Sequence, residues 1–490
     1  MTSTSPPASL ERVLEHLGTR RPRLLEWLKD FLRIPSVSAD PAFAPHMDAA
    51  RSFLLARLRQ IGLHEVRLLD GGGEAAVYGE WMGAPGKPTL LVYGHYDVQP
   101  ADPLERWRTP PFDPVEIGDR LYGRGTSDVK ASTTIALETI AAYLAVEGAC
   151  PVNIKVFLEG EEETGSPSLR TIVARHGALL RADAVLSADG GRASATLPTI
   201  NVGARGNAQL EVRLQTADKD LHSGRYGGGV RNALHEMARL IASLHDEEGN
   251  IAVQGFDAGA ETLSPTQRAD TAAFVYDEQD FFASVGAVSH GEAGYSARER
   301  ITLRPALDVN GLWGGYTGPG GKTIVPCEAF AKMTARVVAG QDPGAVMRAV
   351  RDHLQRRCPP GCKLEVLAFH EGSPASTLQP SHPLVQAATS VLERECGRRP
   401  IHVRLGASVP VTALFKETLG LDTLMFGFNL PDEDVHAPNE FFRLSSIDAG
   451  LRGWTLLLAA LAEQPPERFH TEVRRQTPTD PCASPSSPMS

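Results

Sequence analysis

Five side chains able to hold a divalent cation sit beside glycine-rich or strand-end signals, spread over most of the chain. They are His95 in YGHYDVQP, Asp128 in GRGTSDVK, Glu163 in EGEEETGS, Asp189 in SADGG and His436 in DEDVHAPNE. Two imidazoles and three carboxylates form the ligand set expected for a pair of divalent metals sharing one carboxylate. Glu162, next to one of those carboxylates, is the proton acceptor that a metal-activated water needs. The set points to a hydrolase.

Each residue also has a plainer use. His95 and Asp97 close the apolar run TLLVYGHYD, and residues two apart on a strand share a face. Asp97 can then hold one ring nitrogen of His95 and leave the other for metal. An isolated HxD is more commonly a hydrogen-bonded core pair. Asp128 follows Gly123 and Gly125 and is equally suited to cap a helix that begins near Lys130. Glu159, Glu161, Glu162 and Glu163 repel one another unless cations or solvent compensate, so a solvated acidic loop is the competing reading. Position separates the readings. His95, Glu163 and Asp189 each follow an apolar strand, and sites in open α/β sheets lie outside the carboxyl ends of the strands.

The elements that must position these residues alternate. Helices are expected over residues 10–32, broken by Pro22, and over 49–61, 131–146 and 168–176. Strands are expected at 75–78, 89–93, 152–158 and 184–186. The run at 89–93 carries few polar residues, as a strand covered on both faces would. This is the pattern of a mostly parallel, doubly covered sheet. After Gly206 the pattern changes. Leu210, Val212 and Leu214 alternate with polar residues, as do Met333, Ala335 and Val337, and helical runs lie at 231–244 and 343–355. A sheet with one helical face is expected there. The α/β pattern resumes with helices at 383–395, 410–417 and 446–462 and a strand at 423–426, so one domain is inserted into another.

The 490 residues exceed one core and call for two or three domains. With 42% apolar and 22% charged residues, the composition is that of a soluble globular protein. A net charge of −10 argues against nucleic acid or an anionic membrane as the main partner. Six cysteines without a CxxC pair read as free thiols of a reducing compartment. No basic start precedes an apolar run at the N-terminus, and the apolar stretch 454–462 is too short to span a bilayer. A cytoplasmic location is the default. Residues 476–490 are Pro/Ser-rich and expected to be disordered.

GHYDVQP, GRGTSDVK, EGEEETGS, DLHSGRYGG and a late His before Pro-Asn-Glu resemble metallopeptidase family twenty, in family order from about residue 10 to 465. DLHSGRYGG, GGKTIVP and HEGSP are similar to the carnosinase and cytosolic non-specific dipeptidase branch, which is related to aminoacylases and glutamate carboxypeptidases. The resemblance implies a zinc-peptidase-like catalytic domain over 1–204 and 377–470, with an inserted α+β lid and dimerisation domain over 205–376. It implies two divalent metals per subunit, zinc or manganese with cobalt possible, a small peptide substrate and a homodimer. Asp128 would bridge the metals, His95 and Asp189 would complete one site, and Glu163 and His436 the other. Glu162 would be the general base and Asp97 would orient His95. His222 would reach the partner subunit's active site and polarise the scissile carbonyl. Thr323, Arg336, His370 and Ser408 would hold the substrate's C-terminal end or its carbonyl. Arg336 suits the carboxylate, because its planar fork pairs bidentately.

Three positions depart from the family pattern. Ala131 and Ala407 stand where Gly is usual, and Ala204 stands where a larger apolar residue is frequent. None removes a ligand. A cis peptide after Asp128 is a further expectation from the resemblance. The expected reaction is hydrolysis of the amide bond of dipeptides with a free C-terminal carboxylate. The alternatives are an N-acyl amino acid deacylase or desuccinylase, a carboxypeptidase acting on longer peptides, and a catalytically silent metal-stabilised binding protein.

Overall fold

The apolar run ending in His95 forms the strand Thr89–His95 inside a nine-stranded sheet. A computed structural model describes residues 8–274 and 277–470 of the chain; the Pro/Ser-rich segment 476–490 and Cys482 lie outside the described residues. Side chains of the strand alternate between two cores. Leu90 and Val92 enter one cluster, and Leu91 and Tyr93 enter the other. Both faces are covered, which is why the run lacks polar alternation. The first core is roofed by Ala8–Leu32, Ala44–Gln60, Ala131–Glu147, Pro383–Cys396 and Leu444–Ala462. Leu169–Leu180 and Pro410–Leu419 cover the second.

Parallel pairing runs through the centre. Thr89–His95 lies between Asn153–Glu159 and Ala184–Ser187, with Thr423–Met425 beyond. Antiparallel Ala76–Trp81 and His64–Leu69 close one edge. At the other, Thr199–Ala204 runs antiparallel to Thr423–Met425 and pairs with Ser376–Thr377 and Ile401–Leu405. The doubly covered α/β sheet is thus parallel at its centre and mixed overall. Its parallel strands deliver the chain after His95, Glu159 and Ser187 to the same end of the sheet.

Pro22 does not break the first helix, contrary to the sequence expectation. Ala8–Leu32 runs through it, burying Leu10, Val13, Leu17, Leu24, Leu25 and Leu28 on one face. The residue four positions back is Gly18, where even an added Cβ would meet nothing within 4 Å. Continuous burial on both sides of the proline outweighs one lost backbone hydrogen bond. The stretch Thr126–Glu147 is long and apolar enough to cross a membrane by length and composition, and 78% of it is buried inside the fold. It is a core helix.

A second, four-stranded antiparallel sheet has the order Ala306–Gly314, Glu328–Val337, Gly206–Gln215 and Lys363–Ser373. Leu210, Val212 and Leu214 bury against Ala233–Ala242 and Pro343–Arg357, whereas Gln209 is exposed. Its core is a cluster separate from those of the large sheet.

Separate cores predict separable stabilities. Trp454 is fully buried in the large core and Met347 in the small one. Trp454→Ala should cost about 3–5 kcal/mol and Met347→Ala about 2–5 kcal/mol. In urea melts followed by hydrogen exchange, each should destabilise amides of its own sheet. If either substitution lowered protection equally in both sheets, the two units would be one cooperative block.

Candidate metal centre

Asp128 stands between two imidazoles. Its Oδ1 lies 3.1 Å from Nε2 of His95 and its Oδ2 lies 2.8 Å from Nε2 of His436. His436 Nε2 is also 3.1 Å from Glu163 Oε2. The ligand atoms of His95, Asp128 and Asp189 all fall within 4.8 Å of one another, and so do those of Asp128, Glu163 and His436. Two groups of three therefore share the Asp128 carboxylate, which turns one oxygen toward each.

Asp128 does not cap a helix. The residue before Ala131–Glu147 is Lys130, which makes no side-chain cap. Asp128 itself lies in the turn Thr126–Lys130 with a non-helical φ of −117°, and its peptide bond to Val129 is cis. The chain enters through Gly125 at φ 83°, where a Cβ would stand 2.6 Å from a methyl of Val98; only glycine fits there.

Asp97 ties the two halves together. His95 Nδ1 donates to the Asp97 carbonyl oxygen at 3.1 Å, with the Asp97 carboxylate 3.4 Å away, which leaves Nε2 facing Asp128. The Asp97 carboxylate accepts from Ser38 Oγ at 2.7 Å and from the backbone N–H groups of Glu162 and Glu163 at 3.3 and 3.0 Å. The acidic loop is not a solvated run. Glu159 accepts from the Tyr93 hydroxyl at 2.6 Å, and Glu161 accepts the backbone N–H of Glu74 at 3.0 Å and of Ser168 at 2.9 Å.

Electrostatics make the cluster cation-seeking. The Asp189 carboxylate accepts no hydrogen bond among the described residues, and burial plus the charge of Asp128 push it up to about 7. Burial also raises Glu162; His95 opposes this, while Asp128 and Glu163 add to it. Hydrogen bonds to Asp128 and Glu163 raise His436 to about 10. Burial raises Asp128, but hydrogen bonds from His436 and His95 bring it well below the usual carboxylate range. Buried carboxylates without matched positive charge cost several kcal/mol each, and a divalent cation supplies that charge. The imidazole and carboxylate donor set fits zinc, manganese or cobalt.

Several supporting residues escaped the sequence reading. Glu440, fully buried, accepts backbone N–H groups of Gly125, Ser127 and Asp128 at 2.9, 2.8 and 3.0 Å and the Arg124 guanidinium at 2.7 Å. Glu433, also buried, accepts Ser127 Oγ at 2.8 Å. Gln99 donates to Glu163 Oε2 at 2.8 Å. The signal for the glutamates was present, since both flank His436 in DEDVHAPNE. Asp434, His436 and Asn439 in that motif have φ of 51°, 63° and 71°, uncommon for residues other than glycine and frequent at functional sites.

The remaining residues fall into two further groups. Arg336 donates to Ser408 Oγ at 3.1 Å, and Asn207, opposite Arg336 in the sheet, donates to the same oxygen at 3.4 Å. Arg336 has no ion-pair partner among the described residues, so it is not the surface salt bridge that an alternating strand suggests. His370 is exposed on the strand paired with the other side of Gly206–Gln215. His222 and Thr323 share the short ribbon Leu221–His222 with Ile324–Val325, where Ser223 N–H donates to the Thr323 carbonyl. The Gly224 N–H donates to His222 Nδ1 at 3.0 Å, so the neutral ring carries its proton on Nε2. Within one chain, neither His222 nor Thr323 touches the carboxylate cluster.

Comparison with known proteins places the chain in a family. The family model described as Peptidase family M20/M25/M40 matches residues 91–460. Cys-Gly metallodipeptidase DUG1 of Saccharomyces cerevisiae is 26% identical over 93% of this chain and 99% of its own length. Beta-Ala-His dipeptidase of Homo sapiens is 27% identical over 89% of each chain. The crystal structure of an M20 family metallo-carboxypeptidase, Sso-CP2 from Sulfolobus solfataricus, superposes with a TM-score of 0.74 at 29% identity, covering 90% of this chain and 99% of that one.

Glu440 acts on the cluster only through the Asp128 loop. Glu440→Gln places an amide N–H among the backbone donors and should weaken divalent-cation affinity about 10–100-fold. Competition with a metallochromic chelator measures this. Unchanged affinity would reduce Glu440 to a packing role.

Proposed function

Because the chain belongs to peptidase family M20/M25/M40, we propose that it is a dinuclear-metal dipeptidase, hydrolysing the amide bond of short peptides with a free C-terminal carboxylate. The observation that carries this reading is the Asp128 carboxylate, with one oxygen toward His95 and the other toward His436. His95 and Asp189 would hold one divalent cation, Glu163 and His436 a second, and the Asp128 carboxylate would serve both. Zinc or manganese would occupy these positions, with cobalt as a substitute. Such cations would supply Lewis-acid polarisation of the scissile carbonyl and a water of lowered pKa.

The chain's own residues do the rest. Glu162, its carboxyl raised by burial and without a side-chain hydrogen bond among the described residues, takes a proton from the attacking water and returns it to the leaving amine. Asp97 holds His95 in the tautomer that presents Nε2. Arg336 grips the substrate carboxylate, with Ser408, Thr323 and His370 around the substrate's C-terminal end or carbonyl. His222 of the partner subunit donates its Nε2 proton to the developing oxyanion. Residues 1–204 and 377–470 form the catalytic domain and 205–376 the lid and dimerisation domain of a cytoplasmic homodimer. The curated relatives named above are dipeptidases, which supports the substrate class. One finding favours a second reading. The structural relative is a metallo-carboxypeptidase, and release of a C-terminal residue from longer peptides would use the same carboxylate clamp.

Metal-stripped protein should be inert toward dipeptides and recover with zinc, manganese or cobalt added singly. A blocked tripeptide in the same assay separates the dipeptidase from the carboxypeptidase. Turnover without a divalent ion ends both readings. Glu162→Ala should keep both metals by elemental analysis while kcat falls about 10²–10⁴-fold. Co-expressed His222→Ala and Glu162→Ala chains should regain about a quarter of wild-type activity, because half of the dimers carry one complete site. No regain would place His222 outside the partner's site.

A further inference from the structure

A cavity of about 460 Å³ opens between Ala8–Leu32, Ala44–Gln60 and Ala131–Glu147, away from the residues assigned above. That volume lies in the range of small-molecule pockets. Three guanidinium groups line it: Arg20, Arg23 and Arg57. Arg57 is only 6% exposed. It is ion-paired to buried Glu138 and donates to Gln60 Oε1 at 2.8 Å, but its buried Nε has no acceptor. Arg20 and Arg23 have neither an ion pair nor a side-chain hydrogen bond among the described residues. They stand close enough that, after burial, their charges depress Arg57, to about 10. His16 at the rim is lowered by burial and by the charge of Arg20.

Charge counting gives the sign of the ligand. Glu138 is the only carboxylate lining the cavity among the described residues. The carbonyl ends of two helices, at Ile61 and Gly148, also border it. Each helix end is worth roughly half a negative charge. Three guanidinium groups against one carboxylate and two helix ends leave about one positive charge unmatched. The remaining wall includes Leu17, Leu24, Ile61 and Trp81, which offer an apolar body a place to bury. Surface arginines seldom surround a concavity without a counter-charge, and a planar guanidinium pairs best with a carboxylate fork.

We propose that this cavity is a binding site for a small organic monoanion, a carboxylate on an aromatic or branched apolar body, with Arg20 and Arg23 gripping the carboxylate and the buried Arg57 guanidinium adding positive charge behind them. The site is distinct from the metal cluster.

Isothermal titration of the metal-loaded full chain with phenylacetate, against its neutral isostere phenylacetamide, tests this. Phenylacetate should bind and phenylacetamide should not. The Arg20→Ala/Arg23→Ala double variant should lose about tenfold or more in affinity while keeping wild-type dipeptide turnover. Glu138→Gln, which removes the competing carboxylate, should tighten binding instead. Three results would overturn the proposal: equal affinity in wild type and the double variant, equal binding of acid and amide, or binding abolished by chelating the metals. A double variant that failed to fold would be replaced by Arg20→Gln alone, for which a smaller loss in the same direction is expected and unchanged affinity counts against the site.

Discussion

Buried carboxylates gathered around one point repel each other, and the larger sheet exists to hold them there. Three parallel strands end side by side and deliver His95, the Glu162–Glu163 loop and Asp189 to one edge. The fourth contribution, Asp128, comes from a turn rather than a strand end. Its direction is set by Glu440, whose carboxylate takes three backbone N–H donors of the turn, those of Gly125, Ser127 and Asp128, and the Arg124 guanidinium. An anion receiving four donors in a dry interior is among the stronger fixed points a fold can build. Without it the shared carboxylate would have no reason to divide its oxygens between His95 and His436.

A second constraint links the two imidazoles. His95 is fully sheltered by the sheet, whereas His436 is exposed on a loop that has three non-glycine residues in the left-handed region. The same motif that strains the loop also anchors it, through Glu433 to Ser127 and Glu440 to the turn. Position 436 is therefore set from within the core despite its exposure. Metal-ligating geometry of this sort tolerates little drift, and the supporting residues carry as much of it as the ligands do.

Part of the cluster was legible in the sequence because His95, Glu163 and Asp189 lie at or just after strand ends, and strands declare themselves by apolar runs. Residues 89–95 and 153–159 are buried on both faces, and their ends were read within a residue or two. The supporting carboxylates were not legible, although they sit in the same nine-residue motif as His436. Glu440 takes backbone N–H groups, and Glu433 the Ser127 hydroxyl, of a turn more than three hundred positions earlier, and no periodicity encodes a pairing of that span. Asn207 was missed for a related reason. It reads as one polar residue on an alternating strand, and only the antiparallel register places it opposite Arg336 beside Ser408. Pro22 shows the opposite failure, where a strong local rule was overridden by burial on both sides.

The separation of the two sheets explains how one chain reconciles rigidity with access. The cation-seeking cluster needs fixed strand ends. The candidate substrate grip, Arg336 with Asn207 across the sheet, hangs from the smaller sheet and meets the larger one through Ser408, next to exposed Ala407. A guanidinium without a carboxylate partner, beside a hydroxyl it already orients, is prepared for an anion that arrives with the substrate. His222 lies on the same unit and keeps its Nε2 proton outward. In the proposed reaction the two groups that meet a transient ligand thus sit on the unit with its own core, and the five residues of the cluster sit on strand ends, a turn and a loop of the unit built around the larger sheet. In the proposed reaction the substrate itself would join the two units, because its carboxylate belongs to one and its scissile carbonyl to the other.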